Sequence, residues 1–128
     1  MSNFEKLKAN ARKFLPLSQK RFTDKFSLEI QIAFESEFFY LNGTDLEHQK
    51  CNQKIFAMAA KQCQIKPLTE ERGVGQFETN FSPSKNLIVK AEQLVNFRKI
   101  VQMIAKQQAL AVSFIAKPKI DDMGNGLH

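Results

Sequence analysis

Between Phe26 and Tyr40 the chain reads Phe-Ser-Leu-Glu-Ile-Gln-Ile-Ala-Phe-Glu-Ser-Glu-Phe-Phe-Tyr. Apolar and polar residues alternate through most of this run, a period that a strand sorts onto two faces and a helix does not. The alternation predicts a strand over 27–41. It puts Leu28, Ile30, Ile32, Phe34 and Phe38 on one face and Glu29, Gln31, Glu35 and Glu37 on the other. The apolar face requires a core to cover it. On the polar face, Glu35 and Glu37 would hold like charges side by side, which repel unless a cation lies between them.

The 128 residues suffice for one domain that buries about two-thirds of its unfolded surface. No apolar run approaches the roughly 18 residues of a membrane span, so no membrane association is expected. Cys51 and Cys63 fall on one expected helix, where twelve residues of rise, about 18 Å, are too many for a disulfide. Two free thiols and no apolar leader point to a reducing, cytoplasmic setting. The net charge of +6 is concentrated at the start: residues 1–25 hold seven Lys or Arg against two acids. That pattern reads as the solvated face of an amphipathic helix. A nucleic-acid patch would need aromatic interleaving or a recognisable motif, and neither is present.

Phe4, Leu7, Ala11 and Phe14 recur at helical spacing, and Pro16 is expected to end that helix. The chain therefore divides into a basic helical segment, 1–26, and a main domain, 27–128. After the first strand, Asn42-Gly43 signals a turn and Thr44 or Asp45 a helix cap. Leu46, Ile55, Met58, Ala59 and Cys63 suggest a buried stripe over 46–63. His48, alone on the first turn of this helix, reads as a surface residue. Ile65–Glu71 reads as a short strand that Pro67 confines to an edge or delays. Arg72-Gly73-Val74-Gly75 reads as a turn, and Gln76–Phe81 as the returning strand. Gln76, Glu78 and Asn80 share its polar face; Phe77, Thr79 and Phe81 share its apolar one. Ser82-Pro83-Ser84 is expected to start the longest helix, with Leu87, Ala91, Leu94, Val95, Phe97, Val101, Ile104 and Ala105 as its buried stripe. Leu110–Ala116 reads as a last strand.

After the initial helix the order is β-α-β-β-α-β, whose usual solution is the ferredoxin-like α+β fold: one antiparallel sheet with both helices on one face. The helices would then cover Ile30, Ile32, Phe34, Phe77 and Phe81. The first and third strands would be central neighbours, bringing Glu35 and Glu37 towards Glu78 on the open face, with Glu71 nearby. Several carboxylates and a histidine suit a hard divalent cation such as Mg²⁺ or Mn²⁺.

Four segments, in order, resemble the glutamine synthetase family. Phe34-Glu35-Ser36-Glu37-Phe38-Phe39 is similar to its Glu-x-Glu-Phe strand. Glu71-Arg72-Gly73-Val74-Gly75-Gln76-Phe77-Glu78 resembles its Glu-x-Gly-Pro-Gly-Gln-x-Glu segment, with Val74 in place of proline. Phe114-Ile115-Ala116-Lys117-Pro118 is similar to its Phe-Met-x-Lys-Pro strand end, and Gly124-Asn125-Gly126-Leu127-His128 to its Gly-Ser-Gly-Met-His loop. The likeness covers roughly residues 28–128 and implies half of a glutamine synthetase-type catalytic domain.

The resemblance implies an ATP-dependent ligase that joins glutamate to ammonia or another amine, with two Mg²⁺ or Mn²⁺ ions. It implies that Glu37, Glu71 and Glu78 bind one metal, that Glu35 and His128 bind the other, and that Gly124 and Gly126 belong to the loop contacting glutamate. Met123 departs from the asparagine usual before that loop, and the link from Tyr40 to Leu46 is shorter than in the family. Family members run to several hundred residues. Their later phosphate-gripping arginines and most of the nucleotide pocket fall outside this resemblance, so ATP binding by this chain alone is not expected. The expectation is a truncated ligase, inactive alone, that needs a complementary glutamine synthetase-like chain or self-association. The alternative is a non-enzymatic metal-binding or interaction module that retains the fold.

Overall fold

A computed structural model describes residues 3–128, with side chains from Lys13 onward. The helix α1 spans Asn3–Phe26, β1 Glu35–Tyr40, α2 Asp45–Ala59, β2 Thr69–Glu70, β3 Gln76–Asn80, α3 Leu87–Gln107 and β4 Val112–Ser113, and a π-helical turn, Ala60–Gln64, extends α2. The strands form one four-stranded antiparallel sheet in the order β2-β3-β1-β4. As the order of elements predicts, β1 and β3 are the central pair, with Glu37 opposite Glu78 and Phe38 opposite Phe77.

One face of that pair is the core. Phe38, Tyr40, Phe77 and Phe81 pack with Cys51, Ile55 and Ala59 of α2 and with Leu94, Phe97, Ile100, Val101, Ile104 and Ala105 of α3. Both helices thus meet the same apolar surface of the sheet. Fully burying side chains of this size contributes about 1.5–3 kcal/mol each. Phe97 joins the layers, its ring 6.4 Å from Phe38 and 5.5 Å from Phe81 in edge-to-face geometry. The two cysteines are free and buried. Among the described residues no helix is long and apolar enough to cross a membrane.

Several boundaries differ from the sequence expectation, each for a physical reason. Pro16 does not end α1 but lies inside it. On an exposed helix, water can take the carbonyl that the missing proline N–H leaves unpaired. Phe4, Leu7 and Ala11 lie outside the described side chains, and Phe14 is exposed. The first strand begins at Glu35, not 27. Its partner β3 ends at Asn80; the Phe81 amide still donates to the Phe34 carbonyl at 2.8 Å, but Pro83 has no N–H to continue the ladder, and past it an isolated bridge joins Ile32 to Ser84. Leu28 is consequently exposed, and Ile30 and Ile32 are only half-buried.

In α2, Thr44 is the N-cap, in a reciprocal capping box with Glu47. The buried line is His48, Cys51, Asn52, Ile55 and Ala59, while Leu46 and Met58 are exposed. Pro67 does delay β2, which lies at the sheet edge, and the Ile65–Glu71 segment contributes only Thr69–Glu70 besides a bridge from Ile65 to Phe81. The long helix starts after Asn86, whose Oδ1 accepts from the Val89 amide at 3.1 Å. Ser82 and Ser84 lie before it, their amides donating to the Gln64 and Ile32 carbonyls, with Ser84 bridged to Ile32 as in a strand. Val95 is exposed, outside the buried stripe. The last strand is pared to Val112–Ser113.

Candidate metal centre

The face of β1 and β3 turned away from the helices carries the carboxylates. Glu35 and Glu37 project from β1, and Glu78 stands on β3 directly across from Glu37. Glu71 sits at the base of the β2–β3 hairpin, where its amide donates to the Gln76 carbonyl at 3.0 Å. The Glu78 carboxyl is pushed above the usual carboxylate range, first by burial and then by the charges of Glu35, Glu71 and Glu37. Asn80 Nδ2 opposes this in part by donating to Glu78 Oε1 at 3.1 Å. Three acidic side chains are therefore close enough to disfavour the ionisation of Glu78, the condition that a bound cation relieves.

Residues 124–128 are strapped along the free edge of β1. The Glu35 amide donates to the His128 carbonyl at 2.9 Å and the His128 amide to the Glu35 carbonyl at 3.1 Å, with Leu127 bridged to Ser36. Asn125 anchors the strap. Its Nδ2 donates to the Ser113 and Ile115 carbonyls at 3.1 and 3.0 Å, and its amide to Ala116 at 2.8 Å. The strap delivers the His128 ring to the acidic face, Nε2 lying 3.7 Å from Glu37 Oε1. It also requires close approach at both glycines. A Cβ at Gly124 would come 2.8 Å from the Ala116 carbonyl, and one at Gly126 2.2 Å from His128 Nε2.

Glu37 is the most firmly held of the acids. Its Oε2 accepts from Gln76 Nε2 at 2.9 Å and from the Gly126 amide at 2.7 Å. Gln76 also donates to the Gly124 carbonyl at 3.0 Å, and its own oxygen accepts from the Gly73 amide at 2.9 Å. One buried side chain thus ties hairpin, strand and strap together. Asp122 adds a second tie: it accepts from the Met123 and Val74 amides at 2.8 and 3.2 Å, beside Lys119. These contacts, the Met123 amide foremost, hold its carboxyl below the usual range.

All five expected ligands, Glu35, Glu37, Glu71, Glu78 and His128, thus lie in one neighbourhood, with Gly124 and Gly126 beside them. Their donor set of carboxylates and one imidazole suits Mg²⁺ or Mn²⁺. Among the described residues, however, no three His, Cys, Asp or Glu side chains are gathered as a metal would hold them; Glu37 Oε2 is occupied by protein donors instead. Sequence reading missed Gln76 as the hub, although its place on the polar parity of β3 with Glu78 was a usable signal. It also misplaced His48, which is buried.

Comparison with known proteins places the chain in a family. Residues 5–128 match the family model for the glutamine synthetase catalytic domain. The glutamine synthetase of Halobacterium salinarum is 29% identical over 91 residues, covering 71% of this chain and 20% of that protein. That of Microchaete diplosiphon is 29% identical over 103 residues, covering 80% and 22%. The chain thus spans about a fifth of the length of these curated relatives. Among solved structures, one described as a novel glutamine synthase homolog aligns at a TM-score of 0.71 with 23% identity, over 91% of this chain and 30% of its own. Another, described as a GmaS/ADP complex, aligns at 0.61 with 20% identity, over 88% and 31%. At those identities the structural likeness speaks for the fold alone.

Proposed function

The chain belongs to the glutamine synthetase catalytic-domain family, and from that premise we propose that it supplies the metal-binding wall of an ATP-dependent glutamate–ammonia or glutamate–amine ligase. The observation that carries the reading is the crowding of Glu35, Glu71 and Glu37 around a half-buried Glu78, whose carboxyl is pushed upward by burial first and by those charges second, with His128 strapped alongside. Glu37, Glu71 and Glu78 would hold one Mg²⁺ or Mn²⁺, and Glu35 with His128 a second. Such cations would neutralise charge on a transferring phosphoryl group. The chain's own part is to fix the wall: Gln76 and the Gly126 amide orient Glu37, and Asn125 holds the Gly124–Gly126 loop where glutamate would lie. The strand order β2-β3-β1-β4 supports the ferredoxin-like half-domain reading.

This wall is not a complete active site. Phosphoryl transfer also needs positioned positive charge, and the nearby Lys117 and Lys119 are engaged with the Asp122 and Val74 carbonyls. We therefore expect no ligase activity from the chain alone and activity only with a complementary chain of the same family. The binding of Glu37 by protein donors favours a second reading, a metal-binding or interaction module without the reaction. Calorimetric titration with Mn²⁺ tests the common core of both. Wild type should bind, and Glu37→Gln should weaken binding by about tenfold or more; equal binding by both proteins would remove the metal role. Formation of γ-glutamyl hydroxamate by the purified chain would overturn the expected inactivity.

A further inference from the structure

His48 is not among the acidic-face residues, yet it touches the end of β1, the start of β3 and the glycine turn between β2 and β3. Its ring lies flat on Tyr40, centroids 4.2 Å apart and planes 6° from parallel. It meets the edge of Phe77 at 6.2 Å. Nε2 donates to the Asn42 carbonyl at 2.8 Å, and the Cε1–Nδ1 edge of the ring faces Gly75, where a Cβ would come 3.4 Å from Cε1. The ring is therefore wedged between the end of β1 and the hairpin that carries Glu71 and Glu78. Gly75 follows from this placement. Its φ is +76°, its carbonyl accepts from the Tyr40 amide at 2.9 Å, and the next residue is Gln76, which holds Glu37. Asn42, on the other side, ties the end of β1 to the start of β4 through the Ala111 amide at 2.7 Å.

We propose that His48 is a positioning residue for the acidic wall: pinned at Asn42 by its Nε2 donor, the ring sets how closely the Gly73–Gly75 hairpin approaches β1, and so where Gln76 presents its amide to Glu37. The consequence for metal binding rests on the reading above; the geometry does not. Donation to a carbonyl requires a proton on Nε2, and Nδ1 is buried without a hydrogen-bond partner among the described residues. The ring is thus kept for its shape and its single donor. A carbon in place of Nε2 cannot sit 2.8 Å from the carbonyl; a C–H···O contact needs about 3.3 Å or more. His48→Phe should preserve the stack on Tyr40 but drive the ring towards Gly75. His48→Gln can keep the donor.

The test compares these two variants with a distant core variant, Ile104→Val, in the full chain. Two readouts are used: amide hydrogen exchange at Gly126, whose N–H is bonded to Glu37, in metal-free protein, and calorimetric Mn²⁺ affinity. We expect His48→Phe to speed Gly126 exchange about tenfold after correction for global stability and to weaken Mn²⁺ about tenfold. His48→Gln and Ile104→Val should stay within about threefold of wild type in both. Gly126 exchange that is the same in His48→Phe and Ile104→Val, or no better preserved in His48→Gln than in His48→Phe, would overturn the proposal. If wild type binds no Mn²⁺, the metal reading fails separately and the exchange data still decide the role of His48.

Discussion

The two faces of β1 and β3 are built from alternate residues of the same strands, yet they are held by different physics. On the helix side, Phe38 alone meets the rings of Tyr40, Phe77, Phe97 and Phe114 at centroid distances of 5.4–6.4 Å. Such packing is non-directional and redundant, so many partners share the task of fixing one ring. On the open side, Glu37 is fixed by Gln76 and Gly126 through directional bonds, and Glu78 is left among like charges. One face determines that the sheet exists. The other uses the sheet as a rigid base on which to hold an electrostatically unfavourable group, as sites for cations do.

The largest effect should come from the packed face. Phe97 is fully buried between Phe38 and Phe81, and Phe97→Ala should cost about 3–5 kcal/mol by urea denaturation. A loss below about 1 kcal/mol would mean the α3 contact is not what holds the sheet.

A smaller effect, of opposite sign, should come from a charged group buried on that face. Lys90 is fully buried, its Nζ 6.0 Å from the Phe81 ring and without a hydrogen-bond partner among the described residues. Burial pushes its ammonium below the usual lysine range, with the nearby Cys63 opposing. A lysine whose folded pKa lies below its unfolded one disfavours its proton in the folded state. Its contribution to stability therefore rises as pH climbs from the folded value to the unfolded one. Lys90→Met should stabilise the protein by about 1–3 kcal/mol at neutral pH. It should also flatten the rise in melting temperature between neutral and alkaline pH. An unchanged slope would show that Lys90 reaches water.

The contrast also explains what the sequence could and could not show. Side-chain parity on β3 and in the 35–40 stretch is local, so the acidic face with Glu35, Glu37 and Glu78 was legible from spacing. The start of β1 was not, because it depends on Pro83 lying opposite, across the sheet rather than along the chain. Pro16 misled because proline disfavours a helix interior without forbidding it, and α1 runs through it. His48 misled because the ring that buries it, Tyr40, and the glycine it faces, Gly75, come from other elements. The polar-face parity of Gln76 was legible too; its hub role was not, because it comes from the 124–128 strap folding back onto β1, a contact that no local pattern encodes.

The smallest change in stability should be the most informative about the open face. Gly126→Ala introduces a methyl group 2.2 Å from His128 Nε2. That ring is the end of a largely exposed side chain and can swing away, so stability should change by no more than about 0.5 kcal/mol. Gly124→Ala differs, because its methyl group would meet the Ala116 carbonyl, backbone that cannot swing. In Gly126→Ala the His128 ring would leave the side of Glu37, and Mn²⁺ affinity should fall about tenfold while the melting temperature holds. Unchanged affinity with the ring displaced would remove His128 from the ligand set and leave the wall as carboxylates alone.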